Sequence, residues 1–173
     1  DLSGAQIPSA MFLDASVNGV KFNNAGMQKA MFVQCTITDL DFTGADLSNS
    51  IWAETPLERV CFDNAIMPQA CFVAPDPESM PLKACSFNGA QLNKTNFQGM
   101  VMTGATLCNA SAENANFAGA DLSNADLSGM NAPGAQFRKS QLTGANLDRV
   151  NLMNGSLAKA QLGNASFDGA NLY

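Results

Sequence analysis

Large apolar side chains return along this chain at every fifth residue. All eleven Phe residues, Phe12, Phe22, Phe32, Phe42, Phe62, Phe72, Phe87, Phe97, Phe117, Phe137 and Phe167, carry numbers ending in 2 or 7, and fourteen of the sixteen Leu do the same. Leu or Phe fills 25 of the 35 such positions, and most of the others are Ile, Val, Met or Trp52. Two places earlier Ala occupies 19 of 34 positions, and two places later Gly or Asn occupies 19 of 34. A period of five fits neither a helix nor a strand, whose side chains repeat every 3.6 and 2 residues. On a helix the stripe would drift by about 140° at each step and leave any one face within two or three turns.

A chain can turn a large side chain inward every five residues if it rounds a corner between them. Four such sides close a square coil of 20 residues, and stacked coils pair as parallel strands about 4.8 Å apart. The large residue then fills the axis. The residue two places before it also points inward and must be small. Gly and Asn at positions ending in 4 or 9 tolerate corner geometry that β-branched residues resist.

The cleanest segment, ANFAGADLSNADLSG from Ala115 to Gly129, resembles the A-(D/N)-L-x-x motif of the pentapeptide-repeat family. From residue 82 onward 17 of 18 positions ending in 1 or 6 are Asp, Asn, Ser, Thr or Gln, against 7 of 17 before it, so the motif loosens toward the N-terminus. The resemblance implies an all-β fold, a right-handed quadrilateral parallel β-helix of about 8 to 9 coils of 20 residues. The whole chain, 1–173, reads as a single β-helix and as a piece of a longer polypeptide.

A second period, of twenty, is visible in the N-terminal part. Met11-Phe12-Leu13, Met31-Phe32-Val33, Ile51-Trp52-Ala53 and Cys71-Phe72-Val73 are apolar throughout. Triplets on the other sides, such as Asp41-Phe42-Thr43 and Thr36-Ile37-Thr38, are not. Runs apolar at every position mark strands covered on both faces. With the middle residue inward, Met11, Leu13, Met31, Val33, Ile51, Ala53, Cys71 and Val73 form one outward apolar face of roughly 400 Å², a candidate protein-interaction surface. Fixed steps of twenty continue this face into Gln91-Leu92-Asn93 and Ser111-Ala112-Glu113, and place Asp46 and Asp126 in one column.

One stretch breaks the pattern, Val73-Ala-Pro-Asp-Pro-Glu-Ser-Met-Pro81. Pro77 stands where a core Leu or Phe belongs, and Pro75 where a small inward residue does. Proline supplies no ladder donor. Residues Pro75, Asp76, Pro77, Glu78 and Pro81 are therefore expected to form a protruding loop, with the register resuming at Leu82.

Charge and chemistry narrow the functional classes. The net charge is −6; residues 1–81 hold ten acids and three bases, while residues 82–173 hold five acids and six bases. A basic stripe with interleaved aromatics, the footprint of a nucleic-acid binder, is missing. No apolar run approaches the roughly 18 residues of a membrane span. There is no His, hence no His-based triad or His metal site. The five Cys form no CxxC pair, which favours a reducing compartment. Neither catalytic residue, metal site nor cofactor is indicated, and the chain reads as a non-enzyme.

The expected role is a structural scaffold or protein–protein interaction module of a bacterial protein. Its partner would be another protein, a flanking domain or a second copy, held by the apolar N-terminal face. Similar repeats occur in secreted effectors and secretion-associated proteins, so the expected location is the cytoplasm, or delivery from it by a secretion system. The alternative is a mimic of duplex DNA that binds gyrase or topoisomerase, inhibiting it or protecting it from quinolones, as some family members do.

Overall fold

The computed structural model describes residues 1–76 and 79–173. It is an all-β parallel solenoid. One four-stranded sheet contains β1 (Met11–Leu13), β3 (Met31–Val33), β5 (Ile51–Ala53) and β7 (Cys71–Val73). A second contains β2 (Ser16–Asn18), β4 (Thr36–Thr38), β6 (Leu57–Glu58) and β8 (Leu82–Lys83). In the first sheet Phe12 pairs with Phe32, Phe32 with Trp52 and Trp52 with Phe72. The remaining sides meet through single parallel bridges such as Lys21 with Asp41 and Asp41 with Cys61.

The inward residues account for the core. Phe12, Phe32, Trp52, Phe72, Phe97, Phe117 and Phe137 form one column with ring centroids 4.0–5.7 Å apart and planes within 16° of parallel. Phe22, Phe42, Phe62 and Phe87 form the column beside it, and rings of the two columns meet edge to face. Both geometries are favourable for aromatic quadrupoles. From Phe22 to Leu152 the inward positions are almost wholly buried. The polar exceptions are satisfied: the indole N–H of Trp52 donates to Ser50 Oγ at 2.9 Å, and the Thr55 and Thr95 hydroxyls donate to backbone carbonyls.

Each corner has a physical reason for its residues. Among the described residues every position ending in 4 or 9 has positive φ except Ala74 and Ser79. At Gly44 and Gly134, besides positive φ, the amide oxygens of Asn24 and Asn114 from the coil before occupy the space a Cβ would need. The Asp/Asn preference at positions ending in 1 or 6 comes from a local bond. Asp41, Asp46, Asp121 and Asp126 each accept the N–H two residues on, from Thr43, Ser48, Ser123 and Ser128, an Asx turn leading into the corner.

The stacking step is not constant. Leu57 pairs with Leu82, Cys61 with Ser86, Ile66 with Gln91 and Cys71 with Asn96, each 25 residues apart, whereas the steps on either side are 20. Five extra residues enter at the corner between β7 and β8, and both sheets keep their strands. Two expectations change as a result. The Met11 column continues through Asn96, Asn116, Gln136 and Ser156, while Gln91 and Ser111 stack under Gly26, Asp46 and Ile66. Asp126 lies on the side of Asp41, so it does not share a column with Asp46.

Candidate protein-interaction face

The outward side chains of the first sheet come from residues flanking each inward ring, because successive strand residues point to opposite faces. Met11 and Leu13 flank Phe12, Met31 and Val33 flank Phe32, Ile51 and Ala53 flank Trp52, and Cys71 and Val73 flank Phe72. Pairing sets Met11 over Met31, Met31 over Ile51 and Ile51 over Cys71 along one edge, with Leu13, Val33, Ala53 and Val73 along the other. Met11 (61% exposed), Leu13 (55%), Val73 (45%) and Ile51 (38%) are open to solvent. Met31, Val33, Ala53 and Cys71 are half-buried.

Of the loop candidates, Pro75 and Asp76 are exposed and Pro81 is half-buried. Pro77 and Glu78 lie outside the described residues. Asp76 accepts bonds at its carbonyl from the Ser79 N–H (3.0 Å) and hydroxyl (2.6 Å), and Met80 is fully buried, so the inserted segment is pinned on its C-terminal side. Below Val73 and Pro75 a depression of 290 Å³ opens against Asn96, Gln98 and Gly99.

Elsewhere the buried thiols and the carboxyls of the Asx turns serve the coil itself. Cys35 and Cys85 are buried in inward slots, and burial pushes the Cys85 thiol up to about 12. Burial also raises Cys108, partly offset by a hydrogen bond from Ser128. The carboxyls of Asp41, Asp46, Asp121 and Asp126 are partly buried, which alone would raise them. Their hydrogen bonds to Thr43, Ser48, Ser123 and Ser128 outweigh it and hold them below the ordinary carboxylate value. Asp39 is held low by the Arg59 guanidinium, which grips it in a fork at 2.6 and 2.8 Å and also pairs with Glu58. Among the described residues no group of three His, Cys, Asp or Glu could hold a metal ion. No helix there is long and apolar enough to cross a membrane.

Residues 85–124 and 120–157 match the family model for pentapeptide repeats, in eight copies. These residues are pentapeptide repeats of that family. The match covers the regular part, where the Asx turns recur. Before residue 85, Met, Ile, Cys or Pro replaces the polar residue at eight of the 17 positions ending in 1 or 6. No curated protein matches the chain.

Solved structures offer likenesses to other pentapeptide-repeat proteins. HetL, involved in heterocyst differentiation regulation in the cyanobacterium Nostoc sp. strain PCC 7120, is 20% identical over 95% of this chain and 90% of its own, with a TM-score of 0.45. A trypsin-treated variant of QnrB1, a plasmid-mediated fluoroquinolone resistance protein, is 19% identical over 95% and 90%, with a TM-score of 0.48. A pentapeptide repeat protein of the Arabidopsis thaliana thylakoid lumen is 29% identical over 69% and 62%, with a TM-score of 0.28.

Reading the columns in steps of twenty missed what lies below the apolar sheet. The side continues into Gln98, Ala118 and Arg138. A signal was present in the sequence: Phe97, Phe117 and Phe137 repeat by twenty, but sit 25 beyond Phe72 rather than 20.

Proposed function

We propose that this pentapeptide-repeat chain is a non-catalytic protein-interaction scaffold, and that it docks a protein partner on the outer face of the β1–β3–β5–β7 sheet. One observation carries the reading. Both outward rows of that sheet are apolar over four successive strands, and four of the eight side chains are well exposed. A patch of roughly 400 Å² of this kind is at the level where surface apolarity marks contact sites. At about 25 cal/mol per Å² its burial would contribute about 10 kcal/mol before association costs are subtracted. The non-catalytic part is supported by the lack of His and by an axis filled with side chains.

The duplex-mimic alternative has less support. The side that gathers most acids carries Asp1, Asp41 and Asp63, then Asp126, Asp148 and Asp168, but two successive coils between them present Ser86, Asn88, Thr106 and Cys108 instead. Lys21 and Arg149 dilute it further. A phosphate-like track needs unbroken negative charge.

The test is site-specific photocrosslinking in cells of the source organism, with p-benzoylphenylalanine at Val33 or at Asn93 on another side. A discrete protein adduct is expected from position 33, lost when Met31→Glu and Ile51→Glu are added, and not formed from position 93. Similar adducts from both positions, or none from position 33, would remove the docking role.

A further inference from the structure

The docking role proposed above leaves the partner's chemistry open; the following rests on that role. Below the sheet the same side runs on without a break, from Cys71 to Asn96, Asn116, Gln136 and Ser156. Its character changes on the way. The corner flanking it carries Asp14 and Glu54 beside the apolar sheet, Gly99 and Gly119 in the middle, and Lys139 and Lys159 at the far end. Small residues at Ala118 and Gly119 leave a depression of 330 Å³, walled by Gln98, Arg138 and Lys139.

Arg138, Lys139 and Lys159 are exposed, and among the described residues none of them is in an ion pair. Asp121, the acid on the next side at this level, is already engaged by the Ser123 N–H and the Thr103 hydroxyl. Three free cations beside an apolar sheet, on a chain of net charge −6, do not suit a long polyanion. The overall field repels it, and three phosphate contacts supply little counterion release. They suit a protein segment that brings a few carboxylates and an apolar stretch together.

We infer that this side is one continuous docking strip for an acidic protein segment, its apolar end on β1–β3–β5–β7 and its carboxylates in the Arg138/Lys139 groove. Asp14 and Glu54 set the direction by repelling the acidic end. From Leu13 to Lys159 the strip spans about 34 Å at the coil spacing, the length of a helix of about 22 residues. Rim charges of this kind steer and orient a partner more than they hold it.

The test uses the whole chain and a fluorescein-labelled synthetic helical peptide of about 22 residues, Leu-striped in its first half and Glu-rich in its second. A second peptide carries Gln for every Glu. Anisotropy at low salt is expected to show the Glu peptide binding about tenfold tighter than the Gln peptide. R138E/K139E/K159E should erase that difference while leaving the Gln peptide unchanged. R138Q/K139Q/K159Q should give an intermediate loss, and K21E/R149E, which reverses charge on the opposite side, should leave the preference in place; thermal melts check that each variant is folded.

Equal binding of the two peptides would overturn the inference and leave the docking role standing, since the Leu half still binds. Equal loss in R138E/K139E/K159E and K21E/R149E would reduce the effect to bulk charge and also overturn it, as would displacement of the Glu peptide from the groove by short duplex DNA. Failure of both peptides to bind overturns it as well; the docking role then stands or falls on the photocrosslinking from Val33.

Discussion

The inserted corner after β7 separates two regions that build the same square in different ways. Past it, from Ala90 onward, every corner closes with a tight bond from an N–H to the carbonyl three residues back, as in Ala90 to Phe87, Ala115 to Ala112 and Ala145 to Leu142. The positive φ at the third residue of each is the mark of a type II turn. Before it, only the corners on the Phe22 and Met27 sides close this way, as in Ala25 to Phe22 and Ala30 to Met27. The other two corners are wider. Among the described residues no such bond reaches Val20, Leu40 or Val60, and the N–H of Cys35 goes instead to Thr55 Oγ1 at 3.2 Å. Open corners admit larger inward residues and straighter sides, and those sides are the two four-stranded sheets. Tight corners give short bridged sides, where Ala, Asn and Gly predominate. The region with a flat sheet to offer a partner is therefore the one that strays from the motif.

The sharpest way to break this comparison is Trp52→Ala. It empties the largest buried side chain, is expected to cost about 3–5 kcal/mol in denaturant unfolding, and strands the Ser50 hydroxyl. Because a solenoid's contacts are mostly between neighbouring coils, amide exchange should rise first in residues 11–73 while residues 100–150 stay protected. Uniform loss of protection would make the two regions one cooperative unit.

Next in size is an alkaline effect from Cys85, which fills a slot that Ala usually fills later in the chain. Its thiol is pushed up to about 12 by burial, above the value of about 8.5 in an unfolded chain. The unfolded chain ionises first, so stability is intact below about pH 8.5 and falls toward pH 12, by up to about 1.4 kcal/mol per pH unit. Cys85→Ala should flatten that part of the pH–stability curve relative to the parent. An unchanged curve would mean the thiol ionises freely in the folded state.

Smaller is Gly134→Ala, at a tight corner where φ is +72° and the Asn114 amide oxygen lies where the methyl would go. A loss of about 1–2 kcal/mol is expected, partly recovered in the double variant with Asn114→Gly. Additive losses would show that the Asn and the Gly do not act together. Smallest is Asp126→Asn, which keeps the Asx turn and should change stability at pH 7 by no more than about 0.5 kcal/mol. Its folded carboxyl sits below the unfolded value, so its contribution is present above that value and is lost as pH falls through the folded one. The variant should accordingly be less sensitive to acid, by thermal melts from pH 5 to pH 2.

Much of this could be read from residue types alone. The five-residue period placed the large inward side chains, the twenty-residue period stacked Phe12, Phe32, Trp52 and Phe72, and the triplets around them marked an apolar outer row. These follow from local rules, since a side chain's burial and a corner's tolerance depend on a few adjacent residues. Two features depended on coils meeting in space. Five residues added at one corner turn every later side by a quarter, which moved Asn96 rather than Gln91 under Cys71 and brought Arg138 and Lys139 onto the apolar side. The choice between open and tight corners likewise rests on cross-coil bonds such as that from Cys35 to Thr55, which no stretch of five residues contains. Periodicity thus determined what points in and what points out, while register, a property of paired strands, decided which outward residues share a side.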